Sequence, residues 1–187
     1  MPLLVTAKHQ KAFTIGNTKM SYNITHDDYL TNDELTSLKA NIIHNTSVRD
    51  RLLIQLAIAT GARASELLAI TKSDLNPSEG TVLIHGLKNS FDRAIPLPKA
   101  LFDELSTLEG DLLFPISYSR LKQIWQWFRP NKHKGIKSLR HTFAINLYKR
   151  SRDIRLVQVA LGHKSIQNTM VYMKLVVSTE DLRNALL

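Results

Sequence analysis

The sequence predicts a mainly helical domain with one small antiparallel β-sheet. Apolar residues recur at helical spacing over most of the chain. In the body of the chain from Thr31 on, two short runs, Thr81–Ile84 and Arg93–Pro96, have the length and residue types of strands. A single connection, Gly86-Leu87-Lys88-Asn89-Ser90, joins them, so the sheet is expected to be a hairpin inside an otherwise helical body.

The elements follow in order. Ala12–Ile15 and Met20–Ile24 flank Gly16-Asn17, which reads as a β-hairpin or an arm over residues 1–28. The body begins at Thr31, where Thr31-Asn32-Asp33-Glu34 fits a capping box and Leu35, Leu38 and Ile42 follow at helical spacing. Residues 49–59 read as a second helix, apolar on nearly every side from Leu52 to Ala59 and so central, which Gly61 ends. Residues 63–70 read as a short helix and 98–108 as another, with Leu101, Leu105 and Leu108 on one side. Tyr118, Leu121, Trp125 and Phe128 mark a further buried stripe, and Trp127 falls off it. Helices over 138–150 and 153–161 carry the stripes Leu139/Phe143/Leu147 and Ile154/Val157/Leu161, and Gly162 ends the second. A helix from about Ser165 carries Tyr172. Its apolar face is assigned to Ile166, Met170 and Met173, which leaves Tyr172 displaced from that face. Ser178-Thr179-Glu180-Asp181 starts a last short helix.

Composition narrows the function. The chain has 187 residues, 43% of them apolar, which suits one compact domain with a small extension. It has no cysteine, which excludes disulfides and thiolate metal sites and fits a reducing, cytoplasmic setting. No apolar run has the ~20 residues of a membrane helix, and no signal peptide is evident. The net charge of +9 is concentrated: residues 120–174 hold 13 Lys+Arg and one acid, Asp153. Such a face attracts a polyanion.

Within and beside that basic stretch lies a set suited to phosphodiester chemistry: Arg63, Arg140, His163 and Tyr172. A guanidinium is a planar fork that holds two oxygens and stays protonated. Two of them clamp the non-bridging oxygens of a phosphate and stabilise charge that grows during attack. A phenol becomes a competent nucleophile once it loses its proton. A lysine can return a proton to the departing alkoxide. Acids are scarce around this set, so neither metal nor cofactor is expected.

These residues resemble the tyrosine recombinases, or phage-type integrases. The resemblance covers residues 29–187, which would form that family's DNA breaking-rejoining catalytic domain. Thr60-Gly61-Ala62-Arg63-Ala64-Ser65-Glu66-Leu67 resembles the segment of the first catalytic arginine. Lys88 matches the hairpin lysine that acts as general acid. Leu139-Arg140-His141-Thr142-Phe143-Ala144 resembles the second arginine box. Leu161-Gly162-His163, with Thr169 and Tyr172, resembles the box of the histidine and the nucleophile.

The resemblance implies site-specific recombination of duplex DNA through a 3′-phosphotyrosyl link, by integration, excision, inversion or resolution. It implies a homotetramer on paired sites, monomeric in solution, with an accessory DNA-binding protein as a further partner. A bacterial, archaeal, phage or plasmid origin would fit. Two departures stand out. Position 137, where the family usually has histidine, is lysine; phosphate binding carries over to Lys137, but a base role does not. The thirty residues before Thr31 are too few for the family's usual N-terminal domain, so a minimal member is expected. Lys132, Lys134, His141 and Lys164 are expected to meet DNA. Relaxation like that of a type IB topoisomerase, and a non-catalytic DNA-binding accessory role on the same fold, are the alternatives.

Overall fold

The structure is a computed structural model describing residues 24–44, 47–87 and 90–177, together with Arg183 and Leu186. It has eight helices among these residues: α1 (Asn32–Ile43), α2 (Val48–Thr60), α3 (Ala64–Leu67), α4 (Lys99–Ser106), α5 (Tyr118–Phe128), α6 (Lys137–Ser151), α7 (Ile154–Leu161) and α8 (Gln167–Val176). Three strands, β1 (Leu75–Asn76), β2 (Thr81–Ile84) and β3 (Arg93–Pro96), form one antiparallel sheet in that order. The expected architecture is therefore present, with β1 added as a two-residue edge too short to leave a pattern. The hairpin read at Gly16-Asn17 and the start at Ser178 of the final helix lie outside the described residues; Arg183 and Leu186, further along that segment, are helical.

The local signals act as their chemistry requires. Thr31 Oγ1 accepts from the Glu34 amide at 3.2 Å, and Glu34 Oε2 accepts from the Thr31 amide at 2.9 Å, a complete capping box. Helix α2 ends on Gly61 in the left-handed region, φ 59°, and α7 ends on Gly162, φ 67°. Helix α3 is shorter than the expected 63–70. Arg63 takes an extended backbone as its N-cap, and Ile70 instead accepts from the Leu113 amide at 3.0 Å.

Two apolar clusters hold the body together. The larger gathers Leu52, Leu53, Ile54 and Leu56 of α2 with Leu38, Ile42, Val82, Ile84, Leu105, Leu121, Ile124 and Trp125. The smaller, made by Ile24, Ala144, Ile145, Tyr148, Val157, Leu161 and Tyr172, lies where α6 meets α7 and α8. Phe143 and Leu147 of α6 touch both clusters, so α6 is the hinge line between them.

Packing also reaches upstream of Thr31. Ile24 and Leu30 are buried, and the Leu30 amide donates to Thr142 Oγ1 at 2.7 Å. Tyr118, read as part of the stripe of α5, is exposed; Ile124 takes the buried place between Leu121 and Trp125. Trp127 is exposed as its position off the stripe implies, with the Arg120 guanidinium 4.6 Å from its ring centre.

Candidate active site

The site is built where three chain segments end or begin. Gly61 closes α2 and turns the chain so that Arg63 starts α3. Space here is tight, because a Cβ on Gly61 would collide with the Phe143 ring of α6. Arg63 Nη1 donates to Glu66 Oε1 at 2.8 Å and to Ser90 Oγ. Its amide donates to Glu66 Oε2, also at 2.8 Å.

Glu66 is fully buried, and its second partner comes from the sheet. Arg93 of β3 donates through Nη2 to Glu66 Oε2 at 2.6 Å and through Nε to the Ala160 carbonyl at 3.2 Å. Burial pushes the Glu66 carboxyl up, but hydrogen bonds from Arg93 and from the Arg63 amide, with the Arg93 charge, outweigh it and bring its pKa from 4.5 to about 2. Glu66 is thus an anion that holds two arginines in fixed directions.

Arg140, in the first turns of α6, reaches the C-terminal ends of two other helices. Its Nη1 donates to the Gly61 carbonyl at 2.7 Å and its Nη2 to the Leu161 carbonyl at 2.8 Å. A cation there complements the negative ends of α2 and α7. Nη2 also donates to His163 Nε2 at 3.1 Å. Burial, then the Arg63 charge, lowers the Arg140 pKa to about 10, with Tyr172 and Glu66 opposing the fall. It remains protonated at neutral pH.

His163 follows the turn at Gly162. With Nε2 accepting from Arg140, Nδ1 carries the proton and donates to Thr169 Oγ1 at 2.9 Å. Burial first, then the charges of Arg140, Arg63 and Arg93, lower its pKa to about 3, so the imidazole is neutral. The turn is pinned to the sheet: the Phe91 amide donates to the Gly162 carbonyl at 2.9 Å, and Ser90 pairs with His163 as an isolated antiparallel bridge.

Tyr172 departs from the sequence reading. It is not displaced to the outer side of α8. With Thr169 it forms the buried side, and its ring joins the smaller cluster. Ile166, Met170 and Met173 are only half-buried. The cause is that α8 lies along α6, where an amphipathic ring can bury its body and bring its hydroxyl to a polar partner. That partner is His141 Nδ1, 3.0 Å from Tyr172 Oη.

The remaining expected residues divide. Lys137 is exposed on the first turn of α6, in an open cleft of about 420 Å³ that Lys122, Arg129 and His133 also line. Lys132 and Lys164 are exposed, the latter with Nζ 5.5 Å from the Phe91 ring centre. Lys134 does not fit the expected DNA contact. It is buried, and its ammonium donates to the carbonyls of His26 and Tyr29, the second at 2.6 Å, with Glu34 at 3.4 Å. It anchors the residues upstream of α1 to the loop before α6. Lys88 lies outside the described residues.

Sequence reasoning missed Arg93 and Ser90. The available signal was Arg93 itself, which shares the buried face of β3 with Ile95.

Arg63 with Glu66, Arg140 and His163 thus converge from three segments, and this convergence can be set beside known proteins. A family model described as the phage integrase family matches residues 28–178. The chain belongs to the phage integrase family. It is 33% identical over 173 residues to the tyrosine recombinase XerA of Pyrococcus furiosus, covering 83% of this chain and 59% of that protein. Against the tyrosine recombinase XerD of Pseudomonas aeruginosa it is 30% identical over 147 residues, 67% of this chain and 49% of that protein. This integrase-family chain therefore spans roughly half to three-fifths of the length of these relatives.

Among solved structures it resembles the catalytic domain of bacteriophage HP1 integrase, with a TM-score of 0.67 and 25% identity over 84% of this chain and 94% of that one. It also resembles the XerH site-specific recombinase bound to palindromic difH substrate, with a TM-score of 0.66 and 28% identity over 84% of this chain and 52% of that one. The fold is that of tyrosine recombinase catalytic domains. Among the described residues, no helix is long and apolar enough to cross a membrane.

Proposed function

We propose that this integrase-family chain breaks and rejoins duplex DNA at specific sites through a covalent 3′-phosphotyrosyl link on Tyr172. The observation that carries this reading is the convergence of Arg63, Arg140 and neutral His163 around the buried anion Glu66, with the Tyr172 hydroxyl held on the same helix, α6, that supplies Arg140.

The scissile phosphate is held by Arg63, already fixed by Glu66 and Ser90, and by Arg140, already fixed by the Gly61 and Leu161 carbonyls. Little reorganisation is needed as charge grows on its oxygens. The phosphate also offsets the arginine charges that hold the His163 pKa down, so His163 gains proton affinity as DNA binds. Tyr172 Oη attacks phosphorus, and the bond to O5′ breaks. Lys88 gives that oxygen its proton. Because the phosphotyrosyl ester keeps the energy of the broken bond, a 5′ hydroxyl can reverse the step without a nucleotide cofactor. Lys132, Lys137 and Lys164 contribute phosphate contacts on the basic face. DNA-bound relatives such as XerH on difH support double-stranded DNA as the partner. Strand exchange would proceed in a homotetramer on paired sites, in the cytoplasm.

The test is covalent trapping. The protein is incubated with fragmented genomic DNA that includes the region flanking its own gene, then quenched with SDS, alongside Tyr172→Phe. An adduct formed by the wild type and lost in Tyr172→Phe is expected. An equal adduct in both, or none from a wild-type protein that still binds DNA, overturns the reading.

A further inference from the structure

Tyr172 can attack phosphorus only after its phenol proton has a destination, and position 137 is a lysine with no imidazole nitrogen to offer. We propose that His141 is the proton acceptor for Tyr172, receiving the phenol proton on Nδ1 as Oη bonds to phosphorus. The proposal rests on the strand-transfer reading above and identifies a residue to which that reading gave no chemical role.

The geometry carries the argument. Tyr172 Oη lies 3.0 Å from His141 Nδ1, within the range required of a base toward the proton it abstracts. The two rings are tilted by 46° with centres 5.8 Å apart, so they meet without stacking face to face. Both side chains sit on helices packed along each other, and Tyr172 is buried, so this placement is built into the core.

The charges around the imidazole are set for the task. Asp28, in the short turn His26–Asp28, stabilises a protonated His141; Arg140 and Lys137 on α6 oppose it; Tyr172 faces it from α8. Burial, with Arg140 and Lys137, lowers the His141 pKa to about 4, so the ring is neutral across the physiological range, and in its Nε2–H tautomer Nδ1 faces Tyr172 Oη with a lone pair. The Arg140 guanidinium is also in electrostatic contact with Tyr172.

The step balances. The Oη–H bond breaks and its proton goes to His141 Nδ1. Oη bonds to phosphorus while the bond to O5′ breaks, and O5′ takes a proton from the Lys88 ammonium. Religation runs the same path backwards, and the imidazolium returns the proton to the phenol oxygen.

The test uses the duplex recovered from the wild-type adduct, nicked beside the scissile phosphate so that the released fragment diffuses away. Single-turnover cleavage is followed from pH 6 to 9 for wild type, His141→Asn and Tyr172→Phe. Asparagine can place an oxygen where Nδ1 sits and keep the phenol in position, but it cannot take a proton. The wild-type rate should be flat over this range. His141→Asn should be about 10²- to 10⁴-fold slower at pH 7 and should gain close to tenfold per pH unit, because tyrosinate formed in solution replaces the lost base. A His141→Asn rate that is unchanged, raised, or lowered with a flat pH profile refutes the proposal while leaving the strand-transfer reading intact. Cleavage by Tyr172→Phe would instead sink that reading itself. A measurement on the free protein stands apart from both: the ¹⁵N spectrum of the imidazoles at pH 7 should show His141 Nδ1 unprotonated, and a protonated Nδ1 overturns the proposal.

Discussion

Replacing Glu66 by glutamine removes one charge and almost no volume from the centre of the site. Its carboxylate has no solvent exposure and accepts from Arg63 and Arg93 at 2.8 and 2.6 Å. The fall of its pKa from 4.5 to about 2 measures how much more tightly the folded protein holds the anion than the acid. At about 1.36 kcal/mol per pH unit, the fall corresponds to about 3 kcal/mol. That is within the range for breaking a buried ion pair by removing one partner.

The sign follows from the direction of the fall. A carboxyl depressed in the folded state stabilises above its unfolded pKa and loses that stability as pH drops through its folded pKa. Glu66→Gln should therefore be about 3 kcal/mol less stable than wild type at pH 7, and only about 1.4 kcal/mol less stable at pH 3. Urea unfolding of both proteins at several pH values between 3 and 8 reads this directly. A difference below about 1 kcal/mol at pH 7, or one that does not shrink on acidification, would show that Glu66 is not the anchor of the two arginines.

Other substitutions test separate parts of the structure. Lys134→Ala should cost about 2 kcal/mol of stability by stranding the carbonyls of His26 and Tyr29, with the salt dependence of DNA binding unchanged. Lys164→Ala should leave unfolding unaltered and reduce the slope of log K against log salt by about 0.9. Exchange of those two outcomes would mean the lysines were assigned to the wrong roles. Gly61→Ala should destabilise by at least about 1–3 kcal/mol, since it forces a side chain into φ 59° and against Phe143; an unchanged melting temperature would contradict the closeness of α2 and α6. Thr169→Val keeps its shape but removes the acceptor of the His163 Nδ1 proton. A loss of about 1–3 kcal/mol is expected in thermal unfolding, and no loss would argue against the Nδ1–H tautomer.

Much of this fold was legible in the sequence because its punctuation is strong. Thr31 with Glu34, Gly61 and Gly162 each impose a local conformation that needs no distant partner, so the bounds of α1, α2 and α7 could be read directly. Arg63 and His163 could be singled out for a related reason, since each follows one of these turns, whereas Arg140 stood out only through the box Leu139–Ala144. What stayed hidden depends on contacts between distant segments. Nothing near Glu66 announces that its second arginine comes from β3. Lys134 belongs to a basic run whose charge predicts DNA, but its ammonium is turned inward by carbonyls upstream of α1. Tyr172 was misplaced because helical spacing ranks faces by apolarity alone. It undervalues a ring that buries its body while its hydroxyl finds His141. Strand β1 is two residues long, and its existence depends on β2 being there to pair with it.

The bridge between Ser90 and His163 has a mechanical consequence. Ser90 follows the loop that carries Lys88, and His163 leads into the helix that carries Tyr172. With the Phe91 amide bonded to Gly162, the segment that follows the β2–β3 connection and the turn that leads into α8 share one rivet. A side chain at Gly162 would drive that rivet apart, because its Cβ would lie 2.6 Å from the Phe91 carbonyl oxygen. Any ligand or neighbouring subunit that pulls on α8 therefore also pulls on the sheet, and under the proposed roles of Lys88 and Tyr172 that couples attack on phosphorus to departure from it through one piece of backbone.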